Sequence, residues 1–204
     1  MMSQDIRLCF VGDSFVAGVG DETMLGWAGR LCADIDQTCL KITYYNLGVR
    51  RNTSRDVLAR WEAECTPRFP DGKDARVIFS CGVNDSVWED GAPRVDIDES
   101  CANMRRLLID AKKKYRVLLV GPPAVEDQEQ NLRISDLSAA FGYEAATLNV
   151  PYIEIFPVLV EDTAYLAEIA AGDGAHPGSA GYAKIAQVIK DSRLWWFHRT
   201  RGSD

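Results

Sequence analysis

Short apolar runs alternate with segments of helical period along almost the whole chain, and most of the runs are stopped by glycine. Residues 6–11 form the first run, halted at Gly12-Asp13-Ser14. Residues 42–47 form the second, which ends at Gly48. The third, residues 75–81, closes at Gly82, and the fourth, residues 115–120, stops at Gly121-Pro122-Pro123. Residues 152–156 make a fifth. Between them the period changes to that of a helix. Met24, Ala28, Leu31 and Ile35 fall on one face. Thr53 and Asp56 have capping-box spacing ahead of Val57, Trp61 and Cys65. Asp96 and Glu99 repeat that spacing ahead of Ile97, Cys101, Met104, Leu108 and Ala111. Further helical pattern covers residues 132–148, 159–171 and 178–190.

Five strand–helix units in series predict a parallel sheet with helices on both faces, because parallel neighbours need a crossover and the crossover is right-handed. The runs are nearly continuous in apolar residues, as strands covered on both faces should be. There is no repeat, no low-complexity tract and no linker, so residues 1–204 read as one domain, a length that one core can serve. In such sheets ligands bind beyond the carboxyl ends of the strands, where the strand order reverses. The residues just after each strand are therefore the place to look for chemistry.

Charge and cysteine usage narrow the classes. The net charge of −7 opposes binding to phosphate backbones, so nucleic acid is not an expected partner. No apolar run reaches the roughly 18 residues of a membrane helix. The N-terminal residues show no basic stretch followed by an apolar one, so a cytoplasmic location is expected. Six cysteines (Cys9, Cys32, Cys39, Cys65, Cys81, Cys101) include no C-x-x-C pair and are expected to be thiols. With two histidines and no ligand spacing, neither metal nor cofactor is expected.

The strand ends carry the parts of an acyl-transfer site. Ser14 follows the first strand, Asn84 follows the third, and Asp173-Gly174-Ala175-His176-Pro177 precedes the last helix. A serine needs a base to take its proton, and histidine titrates in the right range. The base needs a carboxylate to fix its tautomer, and Asp173 lies three residues from His176, within one turn. A side-chain amide such as Asn84 can donate to a developing oxyanion. Each piece alone also reads as an ordinary turn, since Gly, Asp, Ser and Asn are turn residues.

Together and in this order, the segments resemble the SGNH hydrolases, also called GDSL esterases and lipases. Gly12-Asp13-Ser14 matches the first block, with Phe15 in place of the usual leucine, and Gly82-Val83-Asn84-Asp85 matches the third. The resemblance implies a flavodoxin-like three-layer α/β/α sandwich and hydrolysis of a small-molecule carboxylic ester through an acyl-enzyme. It implies Ser14 as nucleophile, His176 as base and Asp173 as its orienting carboxylate. The oxyanion donors implied are the Ser14 backbone N–H and Asn84. The second block departs from the family. Asn46 and Thr53 keep their spacing, but Arg51 stands where the family has the glycine whose N–H is the third donor. Arg51 has that N–H too, provided that its φ is allowed. Gly48 is the other candidate.

Other segments give weaker signals. Residues 86–94 show no regular period and suggest a loop with Trp88 either as a wall over the substrate or packed on the sheet edge. Lys112-Lys113-Lys114 reads as a solvated helix end. Trp195-Trp196-Phe197 is expected to pack onto the domain, with His198 beside it as a terminal histidine. Within the hydrolases, a lysophospholipase or thioesterase and a carbohydrate O-deacetylase are the alternatives, the lack of an export signal pointing away from extracellular polysaccharide. Outside them, Gly18 and Gly20 after the first strand also suit a flavodoxin-like cofactor module. A P-loop motif is missing.

Overall fold

The computed structural model describes residues 4–38 and 40–198. In chain order its elements are β1 (Gln4–Gly12), α1 (Ser14–Ala17), α2 (Gly26–Ala33), β2 (Leu40–Gly48), α3 (Ser54–Cys65), a 3₁₀ turn (Thr66–Arg68), β3 (Asp74–Ser80), β4 (Trp88–Glu89), β5 (Ala92–Pro93) and α4 (Ile97–Lys112). These are followed by β6 (Arg116–Val120), α5 (Gln128–Thr147), β7 (Tyr152–Ile153), α6 (Phe156–Leu159), α7 (Thr163–Ala171) and α8 (Ser179–Asp191). The main sheet has the order β2-β1-β3-β6-β7, with every pair parallel. This is the flavodoxin-like doubly wound order, which reverses between β1 and β3.

Alternation along the strands splits the core into two layers. Leu8 and Phe10 of β1 point to one face, where they meet Trp27 and Leu31 of α2, Tyr165 of α7 and Ile185 of α8. Cys9 and Val11 point to the other, against Trp61 of α3, Met104 and Leu108 of α4 and Phe141 of α5. Each fully buried side chain of this size contributes roughly 1.5–3 kcal/mol. Cys9, Cys32, Cys65, Cys81 and Cys101 are free thiols. Contact with Cys65 and burial push the Cys9 thiol far above its usual range. Cys39 lies outside the described residues.

Several boundaries differ from the sequence reading, each for a local reason. Met24 is 90% exposed with φ +57°, so α2 starts only at Gly26. Asp21 causes this: its carboxylate binds the N–H groups of Thr23 and Gly26 and pairs with Arg30, holding residues 21–25 as a turn. In α4, Ile97 is exposed and Cys101 half-buried; Ser100, Met104, Leu107, Leu108 and Ala111 face the core. Helix α5 begins at Gln128, where Asp127 caps it, and Leu132 on its outer side is exposed. The fifth strand is two residues long, and residues 159–171 break into the end of α6 and α7, because Asp162 caps a new helix. Strand β2 is an edge with several exposed side chains, not one covered on both faces.

The segment after the third strand is not irregular. Trp88 pairs with Pro93 and Glu89 with Ala92 in an antiparallel hairpin. Its two-residue loop, Asp90-Gly91, has φ values of +51° and +83°, those of a type I′ turn. Asp-Gly is the sequence signal for that turn.

Candidate active site

Register brings three loops to one level. Gly12 at the end of β1 lies opposite Gly48 of β2 and Ser80 of β3, so the segments after all three strands leave one edge together. Asp13 caps α1, its carboxylate accepting from the Phe15 N–H at 2.9 Å. Ser14 is the first residue of that helix, so its own N–H has no acceptor within the helix. That N–H makes no hydrogen bond among the described residues. Only 5% of Ser14 is exposed.

His176 reaches Ser14 from the far end of the chain. Its Nε2 lies 2.7 Å from Ser14 Oγ, and its Nδ1 lies 2.7 Å from Asp173 Oδ2. The other Asp173 oxygen accepts the N–H groups of Ala175 (3.1 Å) and His176 (2.9 Å). Burial raises the Asp173 pKa, but the His176 N–H, the His176 ring and the Ala175 N–H outweigh it and bring it down to about 2. The carboxylate therefore stays charged at every pH at which the protein would be assayed. Phe15 lies under the imidazole with ring centroids 5.0 Å apart. Gly20 closes the approach: it has φ +89°, and a Cβ there would sit 2.9 Å from the Pro177 carbonyl oxygen.

The loop after β2 separates Arg51 from Gly48. The Gly48 N–H already donates to Asn46 Oδ1 at 3.0 Å. A Cβ on Gly48 would lie 2.1 Å from the Ala17 nitrogen, so its glycine lets α1 approach the strand. Arg51 adopts φ +64°, the left-handed region a glycine enters freely. For a residue with a Cβ that conformation costs roughly 1–2 kcal/mol. The Arg51 N–H makes no hydrogen bond among the described residues. Asn84, half-buried, donates from Nδ2 to the Asn52 carbonyl oxygen at 3.1 Å, which ties the loops after β2 and β3 together. The second Nδ2 hydrogen remains for another acceptor.

Residues that the sequence reading passed over hold this frame. Arg60 of α3 donates to the carbonyl oxygens of Gly12 and Leu47 and to Asn52 Oδ1. Asp85 accepts from the Ser54 N–H and from Ser100 Oγ, both at 2.7 Å. Glu22 caps α8 through the Ser179 N–H and hydroxyl. Trp88 is 57% exposed with the Arg133 guanidinium 5.4 Å from its ring centroid, so it is not packed on the sheet edge. Trp195 is buried, Trp196 and Phe197 pack beside it, and His198 bonds to the Lys190 carbonyl oxygen, so these residues stay with the core. Lys113 and Lys114 pair with Asp110 and Glu62, as suits a helix end.

Asp13 gives a pH-dependent stability. Burial raises its pKa from the usual 3.8 to about 7, and its Oδ2 has no hydrogen-bond partner among the described residues. The folded chain therefore binds a proton that the unfolded chain has lost between about pH 4 and 7. Stability from this group falls with rising pH across that window, by about 1.4 kcal/mol per unit at most. Urea unfolding at pH 5 and pH 8 should show native protein losing more stability than Asp13→Asn. An equally steep loss in the variant would place the effect elsewhere.

A serine, an imidazole and a carboxylate in one hydrogen-bonded line are the arrangement that acyl-transfer chemistry calls for. The chain belongs to the GDSL-like lipase/acylhydrolase family, whose model matches residues 10–184. It is a carboxylic ester hydrolase. A curated relative, an acetylxylan esterase from Geobacillus stearothermophilus, is 30% identical over 90% of this chain and 91% of its own length. The crystal structure of an acetylxylan esterase from the same organism superposes with a TM-score of 0.78 at 23% identity, covering 98% of this chain and 99% of that one. A lipase/acylhydrolase from Enterococcus faecalis gives a TM-score of 0.71 at 20% identity, covering 90% and 92%.

Proposed function

We propose that this protein removes short acyl groups, acetyl above all, from sugar hydroxyls. Ser14 attacks the ester carbonyl as His176 Nε2 takes its proton. Asp173 holds the Nδ1–H and stabilises the imidazolium that forms. The Ser14 N–H, the Arg51 N–H and Asn84 Nδ2 receive the oxyanion. Collapse of the tetrahedral intermediate releases the alcohol, protonated by His176. Water, deprotonated by the same imidazole, then frees the acid from the acyl-enzyme. The observation that carries this reading is the unbroken hydrogen-bond line from Ser14 through His176 to Asp173.

Two further facts favour a small acyl group on a sugar. The relative at 30% identity is an acetylxylan esterase. An apolar cleft of about 420 Å³, lined by Val125, Leu132, Phe156, Val160 and Leu166, includes neither Ser14 nor His176. A cleft that borders His176 is lined by Glu22, Glu168 and Asp173 and does not reach Ser14, so neither cleft brings a long apolar wall to the nucleophile.

A series of p-nitrophenyl esters from acetate to octanoate, run beside acetylated xylooligosaccharides, tests the reading. The rate is expected to peak at acetate, with acetate released from the saccharide. A peak at octanoate would favour the lysophospholipase or thioesterase alternative. Asn84→Ala, which deletes one donor, should lower kcat by about 10²–10³ with little change in KM. A loss confined to KM would assign Asn84 to substrate binding.

A further inference from the structure

We propose that the β4–β5 hairpin is a clamp that keeps Arg51 in its left-handed conformation, with Arg94 and Glu89 as positioning residues for the Arg51 N–H. The inference rests on the oxyanion role proposed for that N–H. Glycine would enter this conformation unaided, whereas a residue with a Cβ leaves it unless its surroundings hold it there. Three contacts supply the hold. Arg94 Nη1 donates to the Arg51 carbonyl oxygen at 3.1 Å. Arg51 Nη2 donates to Glu89 Oε1 at 2.8 Å. Arg94 Nε lies 3.5 Å from the other Glu89 oxygen. One carboxylate thus bridges the side chain being held and the side chain that holds its backbone.

The contacts differ in weight. The Arg51–Glu89 pair is 69% and 43% exposed, and pairs that open to water contribute little alone. The Arg94 side chain is only 20% exposed and grips a backbone carbonyl, which fixes the peptide plane directly. The hairpin that carries Glu89 and leads directly into Arg94 is itself anchored. The Arg94 N–H donates to the Val87 carbonyl oxygen at 2.9 Å, and the Val95 N–H to that of Asp85 at 3.2 Å. Arg133 lies against the Trp88 ring and donates to the Ser86 carbonyl oxygen at 2.8 Å. The hairpin therefore links Asn84, through the segment that follows it, to the loop that presents Arg51. One hydrogen-bonded piece joins the segments that present two of the three proposed donors.

A clamp of this kind is needed only while residue 51 is not glycine. The test is therefore Arg94→Ala in two backgrounds, native and Arg51→Gly, with kcat and KM measured on p-nitrophenyl acetate and folding checked by thermal melting. In the native background kcat is expected to fall about tenfold, with KM within twofold. In the Arg51→Gly background the same substitution is expected to cost less than about threefold, because glycine holds the turn without help. Glu89→Gln should cost less than Arg94→Ala, since the grip on the carbonyl remains. Equal losses in both backgrounds, or no loss in the native one, would overturn the clamp. Asn84→Ala is assayed alongside: if it leaves kcat intact, the oxyanion reading itself fails, and the two failures are distinguishable.

Discussion

Ser14→Ala is expected to lose ester hydrolysis almost completely while keeping the fold. The reasons lie in what its hydroxyl touches. Ser14 Oγ has one side-chain partner, His176 Nε2 at 2.7 Å, and the imidazole is half-buried, so water can replace the lost bond. Helix α1 is capped by Asp13, not by Ser14, so the turn after β1 survives the change. Removing the nucleophile of a serine hydrolase of unrelated fold costs on the order of 10⁶ in kcat. The check is kcat on p-nitrophenyl acetate beside a circular dichroism spectrum and a melting curve. Native-like turnover in a folded variant would assign the nucleophile to another residue.

Asp173→Asn is the second large effect, expected at about 10⁴ in kcat, the size of the same change in a protease triad. An asparagine oxygen can still accept the N–H groups of Ala175 and His176, so the turn is kept. What is lost is the negative charge against Nδ1. A neutral amide can present its NH₂ there, which favours the tautomer carrying its proton on Nε2 and leaves Ser14 without a base. The native carboxyl, with its pKa near 2, does not titrate in the assay range. A loss below tenfold in Asp173→Asn would remove the orienting role.

The sheet and its order of elements were legible because buried strands write themselves as apolar runs and glycines mark where they stop. Ser14 and Asn84 stand out as candidates because they follow the first and third strands, whereas Asp173 and His176 lie between α7 and α8 and stand out by their spacing of three. The turn at residues 21–25 was not legible, because its cause is a carboxylate pairing with Arg30, nine positions on, while Met24 keeps the helical period by chance of spacing. The hairpin at 88–93 is two residues per strand, too short for periodicity, and only Asp90-Gly91 announces it. Arg60 on α3 reads as a solvent-facing arginine. Its role comes from where three loop ends meet, which no local pattern encodes.

The two halves of the proposed triad differ in what they ask of the chain. Asp173 and His176 share one turn, so their pairing is a local event that a short peptide could sample. The bond from His176 to Ser14 joins residues 162 positions apart, and four of the five strands of the main sheet lie between them in the chain. During synthesis the serine therefore emerges early and idles until residue 176 has been released and the segment around it has docked. Turnover then reports long-range closure of the chain. Loosening the C-terminal segment would silence the enzyme while the central strands stay in place.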